Sequence, residues 1–234
     1  MSTTDKQTPG IDDLTPNGTL KSGTTMTSVT FNNNGIQMAG LLFVPKGFSE
    51  KGSYPALITV HPGGGVKEQT AGVYAQHLAE QGFVTLAFDA SHQGASGGMP
   101  RFVDDPSKRV VDIYSAIDYL TSLPYVDATR IGALGICAGS GATMLLTSVS
   151  TLAAFHAFDL ASTLLTQPLL IVAGTKAGSL CQSQELNAVA TAGPKELILI
   201  EGATHMDLYD GPGQSAALTK LVPFFKSKLE KSPN

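Results

Sequence analysis

Along this chain apolar residues fall either in short continuous runs or in longer stretches with helical spacing. Ala56–Val60, Phe83–Phe88, Arg130–Leu134, Leu169–Ala173 and Glu196–Ile200 read as buried strands. Ahead of them, Ser28–Phe31 and Gly35–Val44 flank Asn32-Asn33-Asn34-Gly35, residues that tolerate positive φ, so the pair predicts a hairpin. Val110, Ile113, Tyr114, Ile117 and Leu120 recur at helical spacing and predict a helix with one apolar stripe. Leu218, Leu221, Val222, Phe225 and Leu229 predict another, in which Pro223 marks a kink or the true start. Gly82 predicts the stop of a helix over Val73–Ala79, and Lys67-Glu68-Gln69 read as the beginning of that helix. The alternation of strands and helices predicts an α/β fold: a mainly parallel, doubly wound sheet opened by the antiparallel hairpin.

Candidate chemistry concentrates at the ends of these runs. Gly135-Ile136-Cys137-Ala138-Gly139 follows the strand Arg130–Leu134 and precedes Ser140-Gly141-Ala142, which reads as strand, sharp turn and helix start. A reactive residue on so strained a turn needs neighbours without bulk. The helix N-terminus beneath a cysteine there favours thiolate, the nucleophilic form. His61-Pro62-Gly63-Gly64-Gly65 follows the strand Ala56–Val60, where backbone N–H groups can complete an oxyanion hole. Gly202-Ala203-Thr204-His205 follows Leu197–Ile200, the place for a histidine base.

With these segments in this order, the chain resembles the α/β-hydrolase superfamily. Cys137 is similar to the nucleophile of the dienelactone hydrolases. The segments His61–Gln69, Phe88–Gly94 and Thr204–Asp210 resemble hydrolases grouped with fungal polyketide-transferase-like proteins. The resemblance runs from about Ser28 to about Leu229 and implies an α/β-hydrolase fold acting on a small ester, lactone or thioester. Cys137 would form the acyl-enzyme and His205 would serve as base. The Ala138 N–H and an N–H of Gly63 or Gly64 would hold the oxyanion. Interception of the same acyl-enzyme by an alcohol or amine would make the chain an acyltransferase, and a degenerate fold used for binding is the non-enzymatic alternative.

Two departures from that pattern stand out. The loop after Leu169–Ala173 reads Gly174-Thr175-Lys176-Ala177, so Ala177 occupies the position expected for the triad acid. Glu185 is the nearest substitute, whereas Asp207 reads as a loop cap. The stretch from Cys137 to Leu169 is too short for the rest of the elbow helix, a further strand and a cap. Ser148–Leu152 reads as a remnant strand, or Met144–Leu165 as helical pieces, and the cap is reduced or absent. Glu68 reads as a solvated glutamate rather than a contact of the thiol. Among the other histidines, His77 and His156 read as surface or packing residues. His61 shapes its glycine loop, and His92 either lines the site or makes a structural hydrogen bond.

Composition narrows the setting. The chain has 234 residues, 42% hydrophobic and 15% charged, with a net charge of −4. It reads as a polar tail over residues 1–25 and a single domain over residues 26–234. Lys and Arg are scattered, which gives no electrostatic case for nucleic acid or an anionic membrane surface, and no run is long enough to span a bilayer. Two cysteines make a poor disulfide framework, so a cytoplasmic protein is expected. Gly63-Gly64-Gly65 is not a dinucleotide fingerprint, and neither a cofactor nor a metal is expected. The composition leaves the oligomeric state open.

Overall fold

The structure, a computed structural model, describes residues 18–139, 158 and 160–230. It opens on β1 (Gly18–Thr19), β2 (Thr25–Asn33) and β3 (Ile36–Val44). β2 and β3 form the expected hairpin. Asn33 pairs with Ile36 across a two-residue turn in which Asn34 and Gly35 both have positive φ, at 48° and 87°. β1 pairs antiparallel with β2, and Leu20 is buried in the turn between them. Ordered backbone is thus present by Gly18, earlier than the boundary near residue 25 that the polar composition suggested, because backbone pairing does not require apolar side chains. The rest of the expected tail lies outside the described residues.

β4 (Tyr54–Val60), β5 (Val84–Phe88) and β6 (Val126–Gly135) complete a six-stranded sheet of order β1-β2-β3-β5-β4-β6. β4 runs parallel to both β5 and β6. One face is covered by α1 (Thr70–Glu80) and α6 (Pro212–Leu229), through a core of Leu41, Phe43, Leu57, Leu78, Leu221 and Phe225. The other is covered by α2 (Pro106–Ser122), whose Ile113, Ala116 and Leu120 meet Met38, Ile58 and Leu86. The sheet is doubly wound, as the periodicities of the helices predicted.

Among the described residues β7 (Leu169–Gly174) and β8 (Lys195–Ile200) pair in parallel and form a two-stranded sheet. Residues 140–157, between β6 and β7, lie outside the described residues. Ala56–Val60 of β4 are buried with 0–2% exposure where apolar, whereas Ile131, Gly132, Ala133 and Leu134 of β6, the last strand of the described six-stranded sheet, are half-buried.

Two features hold the small sheet beside the large one. Leu221 and Phe225 of α6 lie in a core against which Leu134 of β6 and Leu170 and Val172 of β7 all pack. The Tyr74 hydroxyl of α1 donates to the Leu208 carbonyl at 2.7 Å, within α5 (Asp207–Asp210). Outside the small sheet, α3 (Ala161–Leu164) and α4 (Leu180–Val189) build a satellite core of Ala161, Leu165, Ile171, Leu186 and Ala190.

Two expected boundaries are corrected. α6 continues through Pro223 and starts at Pro212, the first-turn position that proline suits. Ala217 and Leu221 on one side of Pro223 and Phe225 on the other all lie in the core, so packing carries the helix across it. α1 begins at Thr70 rather than at Lys67, because the backbone N–H and the ammonium of Lys67 both bind the buried Asp89, at 2.8 and 2.7 Å. Gly82 follows α1 with φ of 101°, as a helix-terminating glycine does. Ser148–Leu152, Met144–Ala157 and any cap lie outside the described residues.

Candidate active site

Cys137 sits directly beyond β6 with φ of 56°, the left-handed region a bulky side chain enters only under constraint. Ala138 and Gly139 open a helical turn behind it. The constraint comes from β4: Ile136 N–H donates to the Val60 carbonyl at 3.1 Å, and a Cβ on Gly139 would lie 2.4 Å from that same carbonyl. A side chain at position 139 is thereby excluded. Cys137 itself is exposed and unpaired with Cys181.

The glycine loop lies alongside. A Cβ on Gly63 would come within 3.5 Å of Ala138 Cβ, so these two backbones adjoin. Gly64 is different: its N–H donates to Asp104 Oδ2 at 3.2 Å. Of the two glycines proposed for the second oxyanion donor, Gly64 is thus already engaged and Gly63 is placed beside Ala138. Asp104 is held by Arg109, with Nε donating to Oδ1 at 2.6 Å. The buried Arg109 also donates to the His61 carbonyl at 2.8 Å. Burial alone would raise the Asp104 carboxyl, but the Arg109 guanidinium and the Gly64 N–H outweigh it and hold the group below the ordinary carboxylate range. Neither Asp104 nor Arg109 carried a signal in the sequence, since they reach the loop from the segment around the start of α2.

His61 shapes this loop as anticipated. Its Nδ1 bonds the Pro62 carbonyl at 2.7 Å and its Nε2 accepts from Ala90 N–H at 3.1 Å. Burial holds its pKa below the ordinary 6.5, so it stays neutral. The sign of the linkage follows. At pH above about 6.5 neither folded nor unfolded chain protonates this ring; below it the unfolded chain binds a proton that the folded one refuses. Thermal stability measured from pH 8 downward should therefore start to fall below about pH 6.5, by at most about 1.4 kcal/mol per pH unit from this group. His61→Asn should flatten that part of the profile. An unchanged slope in the variant would contradict the assignment.

The small sheet supplies the rest of the site. Thr175 N–H donates to the Ile200 carbonyl and Lys176 N–H to the Ala203 carbonyl, which ties the loops after β7 and β8 together. His205 is brought between two hydroxyls. Its Nδ1 lies 3.1 Å from Ser179 Oγ and its Nε2 lies 3.2 Å from Tyr209 Oη. Ser179, rather than Glu185, lies within hydrogen-bonding distance of His205 Nδ1. Glu185 lines the same cleft from α4, and Ala177 is buried in the loop. Burial pushes the Tyr209 hydroxyl well above the ordinary tyrosine range, and the nearby Cys137 adds to the shift. Tyr209 is four residues beyond His205 on a helical turn, a spacing that places two side chains together and that sequence reasoning passed over.

The remaining candidates are structural. Asp207 accepts from both N–H and hydroxyl of Thr204 at 2.8 Å, which lowers its pKa and makes it a loop cap. Glu68 pairs with Lys67 at 2.6 Å. His92 bonds the Pro100 carbonyl and Lys108 Nζ. His77 pairs with Glu80, and His156 lies outside the described residues. Cys137, His205 and Tyr209 line one cleft. Among the described residues no group of three or more His, Cys, Asp or Glu could hold a metal, and no helix is long and apolar enough to cross a membrane.

A reactive-type residue on a strained strand-to-helix turn, a glycine loop beside it and a histidine after the last strand define an α/β-hydrolase. The profile of the Dienelactone hydrolase family matches residues 38–177, more than half of the chain, and the protein belongs to that family. The uncharacterized protein YcjY of Escherichia coli K12 is 34% identical over 295 aligned positions, covering 85% of this chain and 96% of that one. This alignment is longer than the chain's own 234 residues, so part of YcjY has no counterpart here. Thiohydrolase aneE of Aspergillus aculeatus is 32% identical over 48% of this chain and 33% of its own length. The solved structure of hypothetical protein PA2218 from Pseudomonas aeruginosa superimposes with a TM-score of 0.78 at 26% identity, covering 92% of this chain and 97% of that one. The family and its relatives support hydrolase or acyl-transfer chemistry on a small molecule.

Proposed function

We propose that the chain cleaves small esters, lactones or thioesters through an acyl-enzyme on Cys137. The observation that carries this reading is the left-handed Cys137 at the head of a helical turn, in one cleft with His205. The thiolate attacks the substrate carbonyl, and the tetrahedral oxyanion forms against the N–H groups of Ala138 and Gly63. Collapse expels the alcohol or thiol, and water activated by His205 releases the acid. The thioester arm is supported by the thiohydrolase relative. An acyl-transfer outcome is supported by a second relative, polyketide transferase claH of Penicillium crustosum, 34% identical over 44% of this chain and 33% of its own length. A reducing, cytosolic setting fits a nucleophile that must remain an unoxidised thiol.

Mass mapping after brief exposure to iodoacetamide should show Cys137 modified faster than Cys181. A short incubation with an activated acyl ester should leave the acyl group on Cys137. Equal labelling of both cysteines, or acylation of neither, would overturn the reading and leave a degenerate hydrolase fold. Added alcohols or amines that divert the acyl group from water would assign the chain to acyl transfer.

A further inference from the structure

We propose that Arg109 and Asp104 are positioning residues that aim the Gly63 N–H as the second oxyanion donor; the proposal rests on the cysteine mechanism above. A run of three glycines has no side chain to fix the peptides on either side of Gly63, and such peptides turn easily unless other groups hold them. Here both are held. The peptide between Pro62 and Gly63 is fixed through its carbonyl, which accepts from Arg109 Nη2 at 3.2 Å and from the Gly65 N–H at 3.0 Å, and meets His61 Nδ1 at 2.7 Å. The peptide between Gly63 and Gly64 is fixed through its N–H, which donates to Asp104 Oδ2 at 3.2 Å. Arg109 joins the two anchors, since its Nε and Nη2 donate to Asp104 Oδ1 and Oδ2 at 2.6 and 3.1 Å.

The planarity of the peptide turns this clamp into a direction. In a trans peptide the N–H points opposite to the C=O, and the bond between Pro62 and Gly63 is trans. A Pro62 carbonyl drawn towards the buried Arg109 therefore turns the Gly63 N–H away from it. That N–H has no hydrogen-bond partner among the described residues. Gly63 is exposed beside Ala138, and a Cβ on it would fall 3.5 Å from Ala138 Cβ. An unengaged donor next to the residue that follows the nucleophile is what an oxyanion hole requires, and it acts best when held before the substrate arrives. Arg109 meets that condition: it is 3% exposed and also donates to the His61 carbonyl at 2.8 Å. The ion pair explains why a carboxylate can serve here. Asp104 and Arg109 line the same cleft as Cys137; a lone carboxylate there would oppose a developing oxyanion, and the guanidinium cancels its charge.

Two rates on the full-length chain separate this role from thiolate formation: acylation of Cys137 by nitrophenyl acetate, which builds an oxyanion, and its alkylation by iodoacetamide, which builds none. Asp104→Ala should slow acylation roughly a hundredfold, the scale for one oxyanion donor, and leave alkylation at the wild-type rate. The loss should fall on the limiting rate and not on the half-saturating ester concentration. Asp104→Asn keeps an oxygen for the Gly64 N–H and should recover acylation to within about tenfold of the wild type. Acylation of Asp104→Ala at the wild-type rate, or equal losses in acylation and alkylation, would overturn the clamp and leave the cysteine mechanism standing. So would an Asp104→Asn protein as slow as Asp104→Ala. A wild-type chain that acylates on no cysteine would remove that mechanism and the role of the clamp with it. Should Asp104→Ala fail to fold, Arg109→Lys decides. It keeps the buried positive charge but cannot reach the Pro62 carbonyl and Asp104 together, so acylation should fall roughly tenfold with alkylation unchanged, and acylation at the wild-type rate would overturn the proposal.

Discussion

Replacing Cys137 by alanine is expected to lower turnover of an activated nitrophenyl ester by at least about a thousandfold, since covalent catalysis loses its only acceptor for the acyl group. Replacement by serine should be almost as damaging. Serine could rescue the site only if His205 were a strong base, and strength in such a histidine comes from a carboxylate on its far nitrogen. Here that nitrogen faces Ser179 Oγ at 3.1 Å, and Ala177 stands where the acid is expected. A neutral hydroxyl orients the ring without stabilising its positive charge, which suffices for a thiol and not for an alcohol. Continuous release of nitrophenol from purified Cys137→Ala and Cys137→Ser proteins measures both losses. A serine variant within tenfold of the wild type would show that His205 receives negative charge from a group not recognised here.

Replacing Asp89 by alanine should destabilise the fold by about 3 kcal/mol, the scale for removing one partner of a buried, hydrogen-bonded ion pair, which corresponds to roughly 10 °C in a domain of this size. Asp89 is fully buried and accepts from Lys67 N–H, from the Lys67 ammonium and from Ala95 N–H. Its loss strands two backbone donors and leaves Lys67, 8% exposed in its side chain, with only Glu68 as a charged partner. Combining Asp89→Ala with Lys67→Met should recover part of the stability, because removing both charges leaves none uncompensated. Urea unfolding with an unchanged slope would measure this, and a loss under about 1 kcal/mol would contradict it. Turnover should fall with stability, since the same carboxylate anchors the chain just beyond the glycine loop that contains Gly63.

Most of the fold was legible in the chain because its signals are local. The hairpin over Asn34-Gly35 follows from residues that accept positive φ, and β4, β5, β7 and β8 follow from apolar runs bounded by loops. Cys137 on its strained turn was legible too, since Gly139 is required by a contact between adjoining elements and leaves its mark in the sequence. The shortness of the stretch from Cys137 to Leu169 is legible as well, and residues 140–157 within it lie outside the described residues.

The placing of β7 and β8 was decided only in three dimensions. Among the described residues they pair with each other, and Leu221 and Phe225 of α6 lie in a core against which Leu134 of β6 and Leu170 and Val172 of β7 all pack. The partners of the candidate site were decided there as well. Ser179 Oγ meets His205 Nδ1, Asp104 accepts the Gly64 N–H, and Tyr209 Oη meets His205 Nε2. Local pattern is written by the chain's own neighbours in sequence. Which hydroxyl or carboxylate meets a given nitrogen depends on how loops from different strands pack, and no spacing along the chain encodes that.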